Sequence, residues 1–436
     1  MSDIDYGNPN TTPPMAQAIP LGLQHVLAMF ASNVTPAVIV AGAAGLAFGG
    51  ADQLYLIQMA MLFAGVATLL QTVGMGPIGA RLPIMQGTSF AFVGVLAGVA
   101  ATQGLSVALT ACLIAGIIHF ALGSVIQKLR FLFPPLVTGL VILAIGLYLI
   151  PVAIKYAAGG AAEFQMNADS FGSLMHWTVA LTVVVVALAF KFLTKGTASN
   201  AAILIGLIAG YVVAFLFGMV NFGGIVKASW FQIPTIMPYG FEFSLGAVIG
   251  VTLVSIVSAI ETVGDTSATT KAGAGRDATD EEVAGATYAD GLGTAVAAVF
   301  GGLPNTSFSQ NVGIVGMTGI MSRHVVTIAG AILIVCGLIP KIGAVISSMP
   351  LPVLGGGVIV MFGMVAAAGM NMLTEITMTR RNMVIISVSL AVGLGLNLVP
   401  SAVQYLPGIW KTLATSAVAP TALLAVVLNL VLPHEE

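Results

Sequence analysis

Residues 304–319 read P-N-T-S-F-S-Q-N-V-G-I-V-G-M-T-G, and the fold turns on how they are read. Apolar segments flank them on both sides, which sets a polar stretch, Asn305 to Asn311, at the depth of a membrane. Lipid offers no partner to a backbone N–H or C=O, so irregular backbone there must be buried in protein or line a polar cavity. The pattern predicts a helix only after Gly313. The amide pair Gln310-Asn311 then stands at a helix start, where side-chain donors and acceptors meet a positive helix end.

The same design occurs earlier in the chain. Thr-Ser-Phe stands at 88–90 and again at 306–308, and F-P-P-L-V-T-G at 133–139 is answered by M-P-L-P-V-L-G-G at 349–356. Two matches in one order at about one offset point to an internal repeat. Interrupted segments at corresponding places in two halves mark a transporter's binding site.

Composition agrees. Hydrophobic residues make up 58% of the 436 residues and charged residues 7%, where soluble domains carry about 25% charged. The chain therefore reads as an integral membrane protein. A net charge of −2 gives no basic field for nucleic acid. Cys112 and Cys336 both lie in apolar segments and read as packing residues, not as a disulfide or metal pair. Residues 1–17 are polar, lack the basic start of a signal peptide, and read as a short disordered tail.

About 20 apolar residues cross a bilayer, and the sequence offers fourteen candidate segments. They fall near 19–43, 53–75, 83–101, 104–127, 132–153, 175–194, 198–220, 244–270, 283–301, 307–322, 324–347, 351–373, 382–399 and 408–432. With the N-terminus inside, ten Lys and Arg fall on the cytoplasmic side and four (Lys155, Lys227, Lys341 and Lys411) on the other. That asymmetry follows the positive-inside rule and sets both termini in the cytoplasm. Seven segments per half is odd, so the second repeat must be inverted. The charged run 271–282 reads as a solvated cytoplasmic loop, and 221–243 as an interfacial stretch joining the halves.

Ionisable residues inside apolar segments are costly and usually mark a pathway. Glu261 and Asp265 are four apart on one helix face, with Ser258, Thr262 and Thr269 on the same side. Two carboxylates so close cannot both ionise cheaply, which suits proton coupling. His25, after Gln24, reads as a hydrogen-bond partner shaping the site. Asp290 fits a proton relay and a helix–helix contact equally well. His119, with no polar neighbours in sequence, reads as packing. Gly45 and Gly49 form a G-x-x-x-G spacing of little weight. No G-x-S-x-G, H-E-x-x-H or Walker A lysine is present, so neither hydrolysis nor nucleotide-driven transport is indicated. Transport would run on an ion gradient or downhill, with no cofactor.

Q-N-V-G-I-V-G-M-T-G at 310–319 resembles the signature of the nucleobase–ascorbate transporter family at every fixed position. Gln24-His25, T-S-F at 88–90 and E-T-V-G-D at 261–265 extend the resemblance over nearly the whole chain. It implies an all-α membrane protein of fourteen segments in two inverted sevens, with short antiparallel β-strands opening segments 3 and 10. Behind the tail at 1–17, a core domain would comprise 18–130 and 244–348, and a gate domain 131–243 and 349–436. It further implies a homodimer contacting through the gate domains, and a proton symporter in a bacterial inner membrane.

Carried over to this sequence, the resemblance makes Glu261 the acceptor for ring N–H groups of a nucleobase and Gln310 its amide partner. Backbone near Ser89, Phe90 and Ser309 would complete the base's edge, and Phe90 would stack on its face. Asn311 and Asp265 would orient the site, and His25 would steady it. Uracil carriers of the family tend to place Glu at the position of Gln310 and His at that of Asp265. The Gln and Asp here are typical of xanthine and urate carriers. Uracil, or guanine and hypoxanthine, remain alternative substrates. An anion transporter or channel of related fold is the third reading, which the carboxylate pair disfavours.

Overall fold

The computed structural model describes residues 5–132, 134–374 and 376–433. Residues 1–4 of the expected tail and Phe133 of the F-P-P motif fall outside them. Among the described residues, sixteen helices have eight residues or more. In chain order they are α1 (Met15–Ala43), α2 (Ala51–Thr72), α3 (Val93–Gln103), α4 (Leu105–Leu122), α5 (Pro135–Ala157), α6 (Leu174–Leu193), α7 (Ala202–Leu216) and α8 (Leu245–Ala274). Then follow α9 (Asp280–Val299), α10 (Ser309–Thr318), α11 (Arg323–Leu338), α12 (Pro340–Ser347), α13 (Leu351–Thr374), α14 (Arg380–Leu398), α15 (Gly408–Thr415) and α16 (Val418–Val431). Two three-residue strands, β1 (Gln86–Thr88) and β2 (Asn305–Ser307), precede α3 and α10.

Among the described residues, eight helices are long and apolar enough to cross a membrane: α1, α2, α4, α5, α6, α8, α13 and α14. The pair α11 and α12, bent by 79° at Ile339, raises this to nine if taken as one span. Pro340 at the start of α12 accounts for the bend, because it has no N–H for the preceding turn. The chain is a multi-pass membrane protein.

The main helix contacts fall into two groups, which also meet each other through α1 and α8. In one, α2 lies on α11 and α9, α4 on α9 and α8, and α1 on α11. In the other, α5 lies along α13, α13 also meets α6 and α7, and α14 meets α16. Small residues set the closeness of these pairs. A Cβ at Gly146 would overlap Ala366, and one at Gly369 would overlap Leu143, so α5 and α13 touch backbone to backbone. The run Gly355–Gly357 serves three neighbours at once: Ala157 of α5, Ala180 of α6 and Leu207 of α7. Gly45 and Gly49 do not pack helices. Both lie beyond the end of α1 with φ of +73° and +74°, in a turn.

Two expectations are corrected. Residues 5–14 are not a free tail. Tyr6 C=O accepts from Met321 N–H at 2.8 Å, Pro9 C=O from Arg323 N–H at 2.9 Å, and Thr11 C=O from the Ser322 hydroxyl at 2.6 Å. Arg323 adds Nε to Asn10 Oδ1 at 2.9 Å and Nη1 to Thr72 C=O at 2.7 Å. Polarity here reflects pairing with the α10–α11 loop, and composition alone does not distinguish that from solvation. Secondly, helix begins at Ser309 and not after Gly313. Ser309, Gln310 and Asn311 occupy the first turn, where N–H groups have no intrahelical acceptor.

Candidate functional site

The site is built on the strand pair. β1 and β2 are antiparallel, with Gln86 opposite Ser307, Gly87 opposite Thr306 and Thr88 opposite Asn305. Ser89 N–H to Pro304 C=O and Phe308 N–H to Met85 C=O extend the pairing. Gly87 is required there. A Cβ would come within 2.5 Å of the Phe308 ring and 2.8 Å of Asn33 Oδ1. Asn33 Oδ1 accepts from Thr88 N–H at 2.8 Å, while its Nδ2 donates to Ala60 C=O at 3.0 Å. All six strand residues are buried, so each backbone group must find a partner within the protein.

A cavity of about 180 Å³ lies beside this pair. Thr306 to Gln310 form one wall, with Glu261 of α8 and Phe90 adjoining. Ile142 and Ile145 of α5 and Met364, Val365 and Ala368 of α13 form the opposite, wholly apolar wall. No Lys, Arg or His lines it. Among the described residues, neither the Glu261 carboxylate nor the Gln310 amide makes a side-chain hydrogen bond, and both face the same space. Beyond Phe90, an edge-to-face contact with Phe362 at 5.2 Å between centroids closes one end. Toward the other end, Glu261 and Thr138 share a narrow void that adjoins a second cavity of about 190 Å³ lined by Gly264 and Ser267. A larger basin of about 720 Å³ lies elsewhere, lined by Glu163, His176 and Lys227, and is remote from the strands.

The other expected residues surround the cavity without lining it. Asp265 accepts from Ser307 Oγ at 2.7 Å and Ser309 Oγ at 2.8 Å. Asn311 Nδ2 lies 3.1 Å from His25 Nδ1 and donates to the His25 C=O at 3.0 Å. Ser89 is buried, and its N–H is taken by Pro304. Asp290 has no exposed surface. One of its oxygens accepts from Gln71 Nε2 at 3.1 Å and from Gln86 Nε2, and the other from the Thr262 hydroxyl. It therefore ties α2, β1 and α8 to α9. His119 Nδ1 pairs with Ser255 Oγ at 2.8 Å and does not line the cavity.

Sequence reasoning missed Asn33, Gln71 and Gln86. Each is a neutral polar residue in an apolar segment. The available signal was that lipid tolerates few such residues, so several in neighbouring segments imply a shared interior network. Thr306 accepts from Ser258 Oγ at 3.2 Å, which carries the polar stripe of α8 onto β2.

Residues 16–402 match the model of a family described as the Permease family. Uric acid permease PucK of Bacillus subtilis (strain 168) is 37% identical over 416 residues, covering 95% of this chain and 95% of its own. Xanthine permease XanP of Escherichia coli (strain K12) is 32% identical over 443 residues, covering 97% and 94%. Among solved structures, the transmembrane domain of the cyanobacterium bicarbonate transporter BicA superposes with a TM-score of 0.62, covering 95% of this chain and 97% of its own. At 15% identity that likeness shows the fold alone. The motifs, the paired strands and these full-length relatives agree: the chain belongs to the Permease family, the nucleobase–ascorbate transporter group that its sequence resembles.

Proposed function

We propose that the chain is a proton-coupled symporter that imports an oxidised purine nucleobase, xanthine or urate, across a bacterial inner membrane. One observation carries this reading: Glu261 and Gln310 face one small cavity with their polar atoms unengaged, beside the ring of Phe90. A carboxylate accepts from ring N–H groups, an amide both donates and accepts, and an aromatic ring covers a flat face. Xanthine and urate have such edges, and relatives named for both match over nearly their full length.

Proton coupling follows from charge. An acidic oxidised purine enters a cavity that holds a carboxylate and no cation. Burying two negative groups together is costly, and a proton taken up with the base offsets that cost. In this reading Asp265, His25, Asn311 and Asp290 form the supporting network, Ser309 frames the base's edge, and Ser89 holds the strand pair behind it. An anion channel finds no support in a cavity lined by Glu261 without a cation.

The fourteen-segment reading assigns β1–α3 and β2–α10 to the third and tenth spans and α15–α16 to the last. The pairs α2–α11 and α4–α9 are then equivalent under an inverted repeat. The first set of helices is the core and the second the gate, with the cavity between them. Alternating access is movement of the core against the apolar wall of α5 and α13. The exposed apolar faces of α6 and α14 suit lipid or a second copy of the chain, and cytoplasmic termini follow from the Lys/Arg asymmetry.

The test is thermal stabilisation of the purified chain over a panel of nucleobases, followed by labelled uptake. Xanthine or urate should raise the midpoint by mass action, and dissipating the proton gradient should abolish uptake. Full uptake by Glu261→Gln and Gln310→Ala would overturn the assignment. Stabilisation by uracil alone would overturn the substrate.

A further inference from the structure

Each strand of the site is gripped from outside by a single hydroxyl. Thr68 of α2 accepts the Gln86 N–H at 2.9 Å and donates to the Gln86 C=O at 3.4 Å. Thr294 of α9 accepts the Asn305 N–H at 3.0 Å and donates to the Asn305 C=O at 3.4 Å. Gln86 and Asn305 are the first residues of β1 and β2. Both threonines are buried, and neither lines the cavity.

The strand register explains why these positions need help. The pairs Ser89–Pro304 and Phe308–Met85 are hydrogen-bonded. Alternation then makes Gln86–Ser307 and Thr88–Asn305 the non-hydrogen-bonded pairs, whose N–H and C=O point away from the partner strand. In a protein interior at membrane depth those groups have no water to turn to. Strands of three residues also cannot fix their own position.

We propose that Thr68 and Thr294 are positioning residues for substrate recognition, a matched pair of hydroxyl clamps that set Gln310 against Glu261. Glu261 takes its place from α8, and Gln310 takes its place from β2 and α10. One route between them is direct, from Asp265 of α8 to Ser307 and Ser309, and a second passes through α9. Asp290 joins α9 to Thr262 of α8, and Thr294 joins α9 to β2. On the other side Gln71 joins α2 to Asp290, and Thr68 joins α2 to β1. Without the hydroxyls, the strand pair keeps its own register but loses its anchors to α2 and α9, and the amide shifts relative to the carboxylate.

This inference rests on the nucleobase reading above, and the experiment separates the two. Thr68→Val and Thr294→Val keep the shape and remove the hydroxyl. Thr68→Ser and Thr294→Ser keep the hydroxyl. In the full-length purified chain, each valine variant should weaken binding of xanthine and urate, read by thermal-shift titration, and raise the uptake KM by about tenfold. The valine variants should still accumulate in the membrane, with a lower ligand-free midpoint because each strands two buried backbone groups, and the serine variants should bind within about threefold of the parent.

A ligand-independent readout is the yield of short-span thiol crosslinking between Glu261→Cys and Gln310→Cys, with Cys112 and Cys336 changed to Ala. The valine changes should lower it. If neither base shifts the parent, the nucleobase reading fails and the crosslinking yield still decides the clamps. Parental affinity and crosslinking in the valine variants would overturn the proposal. So would failure of the valine variants to accumulate while the serine variants do, since that marks a purely structural role.

Discussion

Ser309 donates to Asp265 at 2.8 Å, which ties the first residue of α10 to the carboxylate one turn beyond Glu261 on α8. The two carboxylates that share a face in the sequence thus have different surroundings. Glu261 looks into the cavity, while Asp265 is held by two serines of the strand–helix unit. Hydrogen bonds to charged groups are worth about 1.5–3 kcal/mol. Ser309→Ala should therefore weaken substrate affinity about tenfold, and uptake kinetics at matched membrane abundance check it.

Asp290 gathers Gln71, Gln86 and Thr262 without exposed surface. Removing a partner that leaves a buried polar group unsatisfied costs about 1–3 kcal/mol per group. Asp290→Ala strands three groups and should nearly abolish assembled protein. Asp290→Asn, which keeps the shape and most acceptors, should accumulate. Size-exclusion profiles of solubilised membranes distinguish these outcomes.

Two glycines of α13 should respond oppositely to enlargement. A Cβ at Gly369 would overlap Leu143 and lie 2.7 Å from Gly139 C=O, whereas one at Gly363 meets nothing within 4 Å. Overpacking costs about 1–3 kcal/mol, so Gly369→Val should lower the thermal midpoint and the yield. Gly363→Ala should be neutral or stabilising, since Ala exceeds Gly in helix preference by about 1 kcal/mol.

Acid should loosen the α8–α9 turn. Arg276 grips both Glu282 oxygens, at 2.8 and 2.5 Å, and Glu282 closes a capping box with Thr279. Partial burial pushes the Glu282 carboxyl up, but its bonds to Arg276 and Thr279 together outweigh this and hold it below the usual carboxylate range. A depressed carboxyl contributes stability that is present above its unfolded value, near 4.5, and is lost as pH falls through the folded value. The ligand-free midpoint should therefore fall on acidification below that value. Glu282→Gln should flatten this part of the profile.

Much of the architecture was legible because lipid imposes simple rules. Long apolar runs account for the eight or nine helices able to cross a membrane among the described residues, fewer than the fourteen segments expected, and the repeated Thr-Ser-Phe falls at the paired strands before α3 and α10. Glu261 stood out because a carboxylate in an apolar run is rare. What escaped were neutral partners. Thr68, Gln71, Asn33 and Thr294 each resemble the many polar residues that merely bond back to their own helix, as Thr266 does to Thr262 C=O. Only coordinates separate those from residues that cap a neighbouring strand. The start of α10 was misplaced for a related reason: Ser309, Gln310 and Asn311 look like loop, yet short polar side chains suit a first helical turn.

The bonds from Tyr6, Pro9 and Thr11 to the loop at 321–323 set an order on biogenesis. Residues 6–11 dock on residues made some three hundred positions later. At ordinary elongation rates that is a wait of roughly 15 to 60 s. Throughout it the segment that holds Tyr6, Pro9 and Thr11 lacks the partners it meets in the folded chain.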